Sequence, residues 1–333
     1  MDALAGLLDG PRARGAFLLR AVLDPPWSLR IQDQAPLTML ALVRGAAWLI
    51  HGSTPAVRLQ EGDVAIVRGP EPYTVADDPA TPPQVVIHPG QRCTTPAGDE
   101  MPQAMDLGVR TWGNSVDGST VMLTGIYQMR GEVSRRLLAA LPAVLVLPDN
   151  AGDRVLLPLL AEEIVQDRPG QEVMLDRLLD LVLIGVLRAW FARPEANAPA
   201  WYGASSDPMV GRALRMLHHH PAHPWTVAAL AAEVGVSRAA LARRFTDLVG
   251  EPPMAFLTGW RLALAADLLR EPGVTVGAVA RQVGYGSAFA FSAAFKRVRG
   301  VSPQEHRAAV APDTRGSEAL DNHIEGARLA LPN

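Results

Sequence analysis

Only one cysteine, Cys93, occurs in the 333 residues. A single thiol excludes an internal disulfide and every multi-cysteine zinc or iron–sulfur site, and it fits a reducing compartment. The opening Met1-Asp2-Ala3-Leu4 lacks the basic patch and apolar core of a secretory leader. Long hydrophobic runs are missing as well. The most apolar stretch, residues 178–191, is interrupted by Asp180 and Arg188 and is too short to span a bilayer. No Ser/His/Asp set, phosphate-cradling glycine loop or catalytically spaced carboxylate pair stands out, so neither enzyme activity nor a cofactor is expected. Together these absences predict a soluble, cytoplasmic protein with no membrane partner.

The composition that remains, 48% hydrophobic and 20% charged, is that of a globular chain long enough for two domains. Its net charge of −3 conceals an asymmetry. Residues 207–310 hold twelve basic and seven acidic side chains, whereas the remainder holds nineteen and twenty-seven. A basic segment on an acidic protein points to a polyanionic partner for that segment.

Residues 18–147 carry short apolar runs, at 37–43, 47–50, 63–67, 84–87 and 121–127, separated by Gly, Pro and Asp turns. This pattern predicts an antiparallel sandwich or barrel, with long loops at 77–83 and 90–102. Helical spacing then takes over at 154–165 and 171–192, where Leu175, Leu178, Leu179, Val182, Leu183, Val186, Leu187 and Trp190 recur at steps of three and four. The arc is wide enough for packing on more than one neighbour, so these helices are expected to dimerise the chain or couple its domains. Residues 194–208 read as a linker. The expected division is 1–150 β-rich, 151–206 linking helices and linker, 207–310 all-helical, and 311–333 a disordered tail.

The all-helical segment repeats itself. Leu230 to Ser237, then Leu241, Phe245, Gly250 and Pro253, is matched by Val279 to Ser287, then Phe291, Phe295, Gly300 and Pro303. Each copy has the chemistry of a helix-turn-helix. A short helix (227–234; 276–283) stops at Gly235 or Gly284, which can take the left-handed conformation of a sharp turn. Ser237 or Ser287 then caps the next helix. Leu241, Phe245 and Leu248 lie on one face of that helix, as do Phe291, Phe295 and Val298 in the second copy. The opposite face of the first copy, Arg238, Ala239, Ala242 and Arg243, is small or basic, as a major groove admits. A linking helix through Phe256, Trp260, Leu264 and Leu268 joins the copies.

Residues 207–307 resemble the DNA-binding domain of AraC/XylS-family transcription regulators. The signature is carried by Val283-Gly284-Tyr285-Gly286-Ser287, Phe291-Ser292-Ala293-Ala294-Phe295-Lys296-Arg297 and Gly300-Val301-Ser302-Pro303, with Arg307 beyond. The resemblance implies seven helices and two helix-turn-helix units entering successive major grooves of double-stranded DNA, about 10 bp apart. By position, it implies base contacts from Arg238, Ala239, Ala242 and Arg243, and from Ala288, Phe289, Ala290 and Ala293. Phosphate contacts fall to Ser237, Arg244, Ser287, Lys296 and Arg297, with Arg299 a further candidate. Ala293 stands where many members have arginine, so the second unit is expected to read bases softly and the first to supply most discrimination.

The β-rich half resembles the cupin-like sensor domain of one AraC/XylS branch, through Val43 to Leu49 and Leu59-Gln60-Glu61-Gly62-Asp63-Val64-Ala65-Ile66-Val67-Arg68-Gly69. Metal-binding cupins place a histidine where this chain has Pro72-Tyr73, so no metal site is expected. Trp48, His51, Tyr73 and His88 are the candidates to line a small-molecule pocket. Cys93, beside Arg92 in an expected loop, is a candidate redox sensor if the arginine lowers its pKa. The Pro-Cys-His-Arg motif of the DNA-repair methyltransferase that shares such helices is absent. The histidines of 218–220 point in different directions on a helix and cannot share one ion. The expected fold is therefore α+β in two domains, a cupin-like barrel followed by helices and then an all-α domain with two helix-turn-helix units. The expected function is a sequence-specific transcription activator whose DNA binding responds to a small molecule or redox signal, with RNA polymerase and a second copy of the chain as partners. The alternative is a cupin metalloenzyme fused to a DNA-binding module.

Overall fold

A computed structural model describes residues 17–101, 105–127, 131–148, 155–193, 196 and 198–309. They fall into two compact units, one within 11–129 and 141–196, the other within 130–140 and 197–313. The expected tail, 311–333, lies outside the described residues.

The first unit contains strands β1 (Phe17–Leu23), β2 (Ser28–Ile31), β3 (Leu37–Arg44), β4 (Ala46–His51), β5 (Val57–Gln60), β6 (Val64–Arg68), β7 (Tyr73–Ala76), β8 (Val85–Ile87), β9 (Cys93–Thr94), β10 (Asp106–Gly108), β11 (Thr111–Gly113), β12 (Thr120–Tyr127) and β13 (Val144–Leu147). They pair as two sheets, β10-β11-β1-β12-β3-β6-β13 and β5-β4-β7-β2-β8-β9. Among the described residues both orders are linear, so the expected barrel takes the form of two open sheets, each with two edge strands. Their inner faces share one core that includes Trp27, Leu29, Ile31, Leu40, Leu42, Leu49, Leu59, Val67, Val75 and Met122. In β4 every second residue is buried, the period of a strand with one face inward. Most of β3 is instead buried on both faces, because a helical layer covers its outer side.

The helices are α1 (Glu132–Ala139), α2 (Leu156–Glu163), α3 (Gln171–Phe191), α4 (Ala200–Ala204), α5 (Pro208–His219), α6 (Val227–Val234), α7 (Arg238–Val249), α8 (Pro253–Leu268), α9 (Val276–Gln282), α10 (Ala288–Arg299) and α11 (Pro303–Ala309). Helices α2 and α3 belong to the sheet unit. Leu175, Leu178, Leu179, Val182, Leu183, Val186 and Leu187 of α3 are buried, as their spacing predicts. The helix approaches β12 closely: a Cβ at Gly125 would lie 2.8 Å from Leu179 Cδ1, and the buried Tyr127 hydroxyl donates to Leu179 O at 2.9 Å.

The second unit holds the seven helices α5–α11, together with α4 and α1. The expected linker is therefore partly helical, and Trp201 and Ala204 of α4 pack on the core of the first helix-turn-helix. Residues 131–140, expected with the β-rich half, group with the helical unit. Two cores lie side by side along α8. Phe256 and Leu257 of its first half join Leu214, Leu217, Leu230, Leu241 and Phe245. Leu262, Ala265 and Ala266 of its second half join Val279, Ala280, Val283, Phe291 and Phe295. A single 16-residue helix, about 24 Å long, thus belongs to both helix-turn-helix units and fixes one against the other.

Candidate nucleic-acid interface

The same capping chemistry is used twice. Thr226 and Thr275 accept hydrogen bonds from Ala229 N (3.0 Å) and Ala278 N (3.2 Å) at the starts of α6 and α9. Ser237 and Ser287 accept from Ala240 N (3.2 Å) and Ala290 N (3.1 Å) at the starts of α7 and α10. Each satisfies an orphan amide of a helix N-terminus. Between each pair of helices stands a left-handed glycine, Gly235 at φ 78° and Gly284 at φ 84°. At Gly284 a side chain is doubly excluded, since a Cβ would lie 2.6 Å from Ala222 O.

Caps and core fix which face is free. In α7, Leu241 and Phe245 are fully buried while Arg238, Ala239 and Arg243 are exposed and Ala242 is half-exposed. In α10, Phe291, Ala294 and Phe295 are buried, and Ala288, Phe289, Ala290, Ala293, Lys296 and Arg297 are exposed. All eight residues expected to face bases therefore lie on the two free faces, beside Lys296 and Arg297. Phe289 is 85% exposed. Arg238, Arg243, Lys296 and Arg297 make no ion pair among the described residues.

The third cation expected at phosphate, Arg244, is engaged. Arg244 Nη2 lies 2.9 Å and Nε 3.1 Å from Asp207 Oδ2, while Asp207 Oδ1 caps α5 through Val210 N (2.9 Å) and Met209 N (3.0 Å). These bonds, led by that from Val210, hold the Asp207 carboxyl below its usual range. Arg299 is taken up as well. Its Nη1 lies 2.5 Å from Glu132 Oε2 of α1, and its guanidinium rests 6.0 Å from the centroid of the Phe295 ring. Asp267 Oδ1 of α8 in turn accepts from Glu132 N at 2.5 Å, capping α1 from another helix. Asp207-Pro208 is a readable helix start, but nothing in the sequence connects Glu132 with Asp267 or Arg299. Arg261 has a structural task, donating to Pro221 O and His223 O. His218 packs against Phe256 and Trp260, while His219 and His220 are exposed, so the three diverge.

In the sheet unit, the register aligns His51, Tyr73, Ile31, Ile87 and Cys93 across five neighbouring strands on the inner face. His51 and Tyr73 are directly opposed and buried, with His51 Nε2 3.8 Å from Glu71 Oε2. Burial drives the Tyr73 phenol far above its ordinary pKa. Trp48 alternates with Ala47 and Leu49 and so points to the opposite face of β4. His88 bonds Gln32 Nε2 through Nδ1 (3.2 Å) and Thr94 Oγ1 through Nε2 (2.9 Å). Of the four expected pocket residues, the structure brings His51 and Tyr73 together and leaves the other two apart. Cys93 lies in β9 rather than in a loop, and burial raises its thiol pKa, opposite to the expected effect of Arg92. Unforeseen in the sequence is a half-open, largely apolar cavity of about 450 Å³ between the outer face of the first sheet and α2 and α3. It is lined by Val43, Val64, Leu147, Leu156, Val182 and Gly185, and apart from the backbone of α3 itself no atom lies within 4 Å of where a Gly185 Cβ would stand.

Two rigidly linked helix-turn-helix units with free faces of small, apolar and cationic side chains define a DNA-reading protein with an appended β unit. A family model described as a cupin matches residues 2–192, and one described as a helix-turn-helix domain matches residues 230–309. A Streptomyces lividans protein described as an AraC-like transcription regulator is 31% identical over 312 residues, covering 92% of this chain and 98% of its own. The transcriptional regulator AlkR of Acinetobacter baylyi is 26% identical over 317 residues, covering 92% and 99%. The C-terminal domain of AraT, a response regulator from Geobacillus stearothermophilus, is 30% identical in sequence, with a TM-score of 0.31 over 32% of this chain and 90% of that one. The chain belongs to the AraC-like transcription regulators, with a cupin N-terminal domain and a DNA-binding helix-turn-helix C-terminal domain. It is a regulator rather than an enzyme. Among the described residues no helix is long and apolar enough to cross a membrane.

Proposed function

We propose that this regulator is an activator that acts in the cytoplasm, laying α7 and α10 in successive major grooves and answering to a small molecule held by its cupin unit. The observation that carries the groove reading is the pair of free faces set by matched serine caps on helices that share α8. Arg238 and Arg243 have the forked donors that chelate guanine O6 and N7, so α7 supplies most hydrogen-bonded discrimination. Lys296 and Arg297 neutralise phosphates, and the serine hydroxyls donate to them. Arg243→Ala is expected to relax preference at particular base pairs. Lys296→Ala should weaken all sequences alike and lessen the salt dependence by about 0.9 in the log–log slope. Identical behaviour of the two variants overturns this partition.

A small-molecule signal is favoured over a redox one because the raised thiol pKa of Cys93 leaves little thiolate to oxidise. Two places suit an effector: the interior row at His51 and Tyr73, and the cavity beneath α3, whose volume is in the range of ligand pockets. An effector acts by binding the DNA-competent arrangement differently from the incompetent one. Helix α3 also leaves Val173, Met174 and Leu181 exposed beside its buried arc, which supports pairing of two copies. Sedimentation at micromolar concentration should then show a dimer. A strict monomer with and without DNA contradicts it. As an activator the DNA-bound chain engages RNA polymerase, which transcription reconstituted with both purified components tests directly.

A further inference from the structure

The two reading helices share a framework but differ in surface chemistry. Counting from the serine caps, α7 presents Arg238, Ala239 and Arg243 where α10 presents Ala288, Phe289 and Ala293. Both arginines have become alanine, and the alanine between them has become phenylalanine. Across the first two turns of α10 no exposed side chain carries an N–H donor or a carboxylate. This surface cannot chelate guanine or adenine in the way α7 can.

Phe289 is the outlier on it. At 85% exposure its ring contributes almost nothing to the core, which is closed by Phe291 and Phe295 on the opposite side. It occupies the second helical position after Ser287, at the N-terminal end that a recognition helix turns toward base edges. Ala288, Ala290 and Ala293 flank it and end at Cβ, so nothing beside the ring holds the helix away from the groove floor. Lys296 and Arg297, two turns further along, are placed to grip the backbone. Only one feature of the major groove is apolar, the C5-methyl group of thymine.

We infer that Phe289 reads pyrimidine methyl groups, so that the half-site under α10 is specified by thymine methyls while the half-site under α7 is specified by hydrogen bonds. This rests on the proposed placement of α10 in a major groove. One half of the operator then tolerates exchange of donor and acceptor patterns that keep a methyl in place, and the other half does not.

The test uses the full chain and a preferred duplex recovered from genomic fragments. Each thymine of the footprint is replaced singly by uracil, which pairs identically and lacks only the methyl. One or two positions, about 10 bp from those sensitive to Arg243→Ala, should lose about fourfold in affinity, the effect expected for one buried methyl-sized group. At these positions 5-methylcytosine should bind more tightly than cytosine. Phe289→Ala should bind thymine and uracil duplexes equally, and Phe289→Leu, which keeps an apolar tip, should retain part of the difference. Because the ring lies outside the core, both variants should keep the parent's thermal stability. Uracil insensitivity at every thymine overturns the inference. So does an equal loss by Phe289→Ala on thymine and uracil duplexes, the mark of a ring acting as a general wedge. Wild-type DNA binding by Phe289→Ala also overturns it. If the chain shows no preferred duplex, or Lys296→Ala leaves the salt dependence unchanged, the groove placement itself fails.

Discussion

Single residues in the helical unit decide where helices start and which side chains stay free. Ser287→Ala removes the acceptor for Ala290 N and should lower stability by about 1 kcal/mol in urea unfolding, with Ser237→Ala costing a similar amount. Gly284→Ala should cost more, about 2 kcal/mol, because a left-handed φ and a close carbonyl act together. Asp207 links residue chemistry to pH. Its carboxyl titrates lower in the folded chain than in the unfolded one, so its stabilisation is complete above the unfolded value of about 3.9 and is lost as pH falls through the lower, folded value. Asp207→Asn keeps the capping oxygen and removes the titration. Urea unfolding from pH 5 to 2 should then show a shallower acid decline in the variant than in the parent.

At the scale of elements, α1 and α8 show how a short helix is fixed by groups remote in sequence. Glu132 gives its amide to Asp267 and its carboxylate to Arg299, at the end of the second reading helix. Glu132→Ala releases Arg299 toward phosphate. The log affinity against log salt should then steepen by about one unit, whereas Arg299→Ala alone should leave the parent slope unchanged. Helix α3 offers a separate check on sensing. A leucine at 185 has room to project into the 450 Å³ cavity. If the effector lies there, Gly185→Leu should abolish the response while DNA affinity without effector stays at the parent value.

Across the whole molecule, legibility follows the range of the interactions. The twin hairpins are legible because each is specified within about 25 residues by an apolar stripe, a left-handed glycine and a serine cap, and the structure adds a threonine cap at the start of each first helix. The free faces of α7 and α10 followed from the same stripe, as residues opposite Leu241 and Phe245 or Phe291 and Phe295. The runs at 37–43 and 121–127 mark strands but not which strands pair, since β12 lies between β3 and β1, and β1 also pairs with β11 in parallel register. The sequence around Cys93 reads as a loop because a two-residue strand has no periodicity to detect. Nothing local marks Arg244 and Arg299 as paired, because their partners, Asp207 and Glu132, are distant in the chain.

The sequence alone therefore determined the DNA-reading apparatus, whose caps, turns and buried stripes are local and dictate one another along a few helical turns. Only the tertiary structure decided that the β half is two open sheets, that His51 and Tyr73 meet while Trp48 and His88 stand apart, and that two arginines are already paired. Strand order, register and ion pairing between remote residues depend on which surfaces come together after chain reversal, and no local preference encodes that choice.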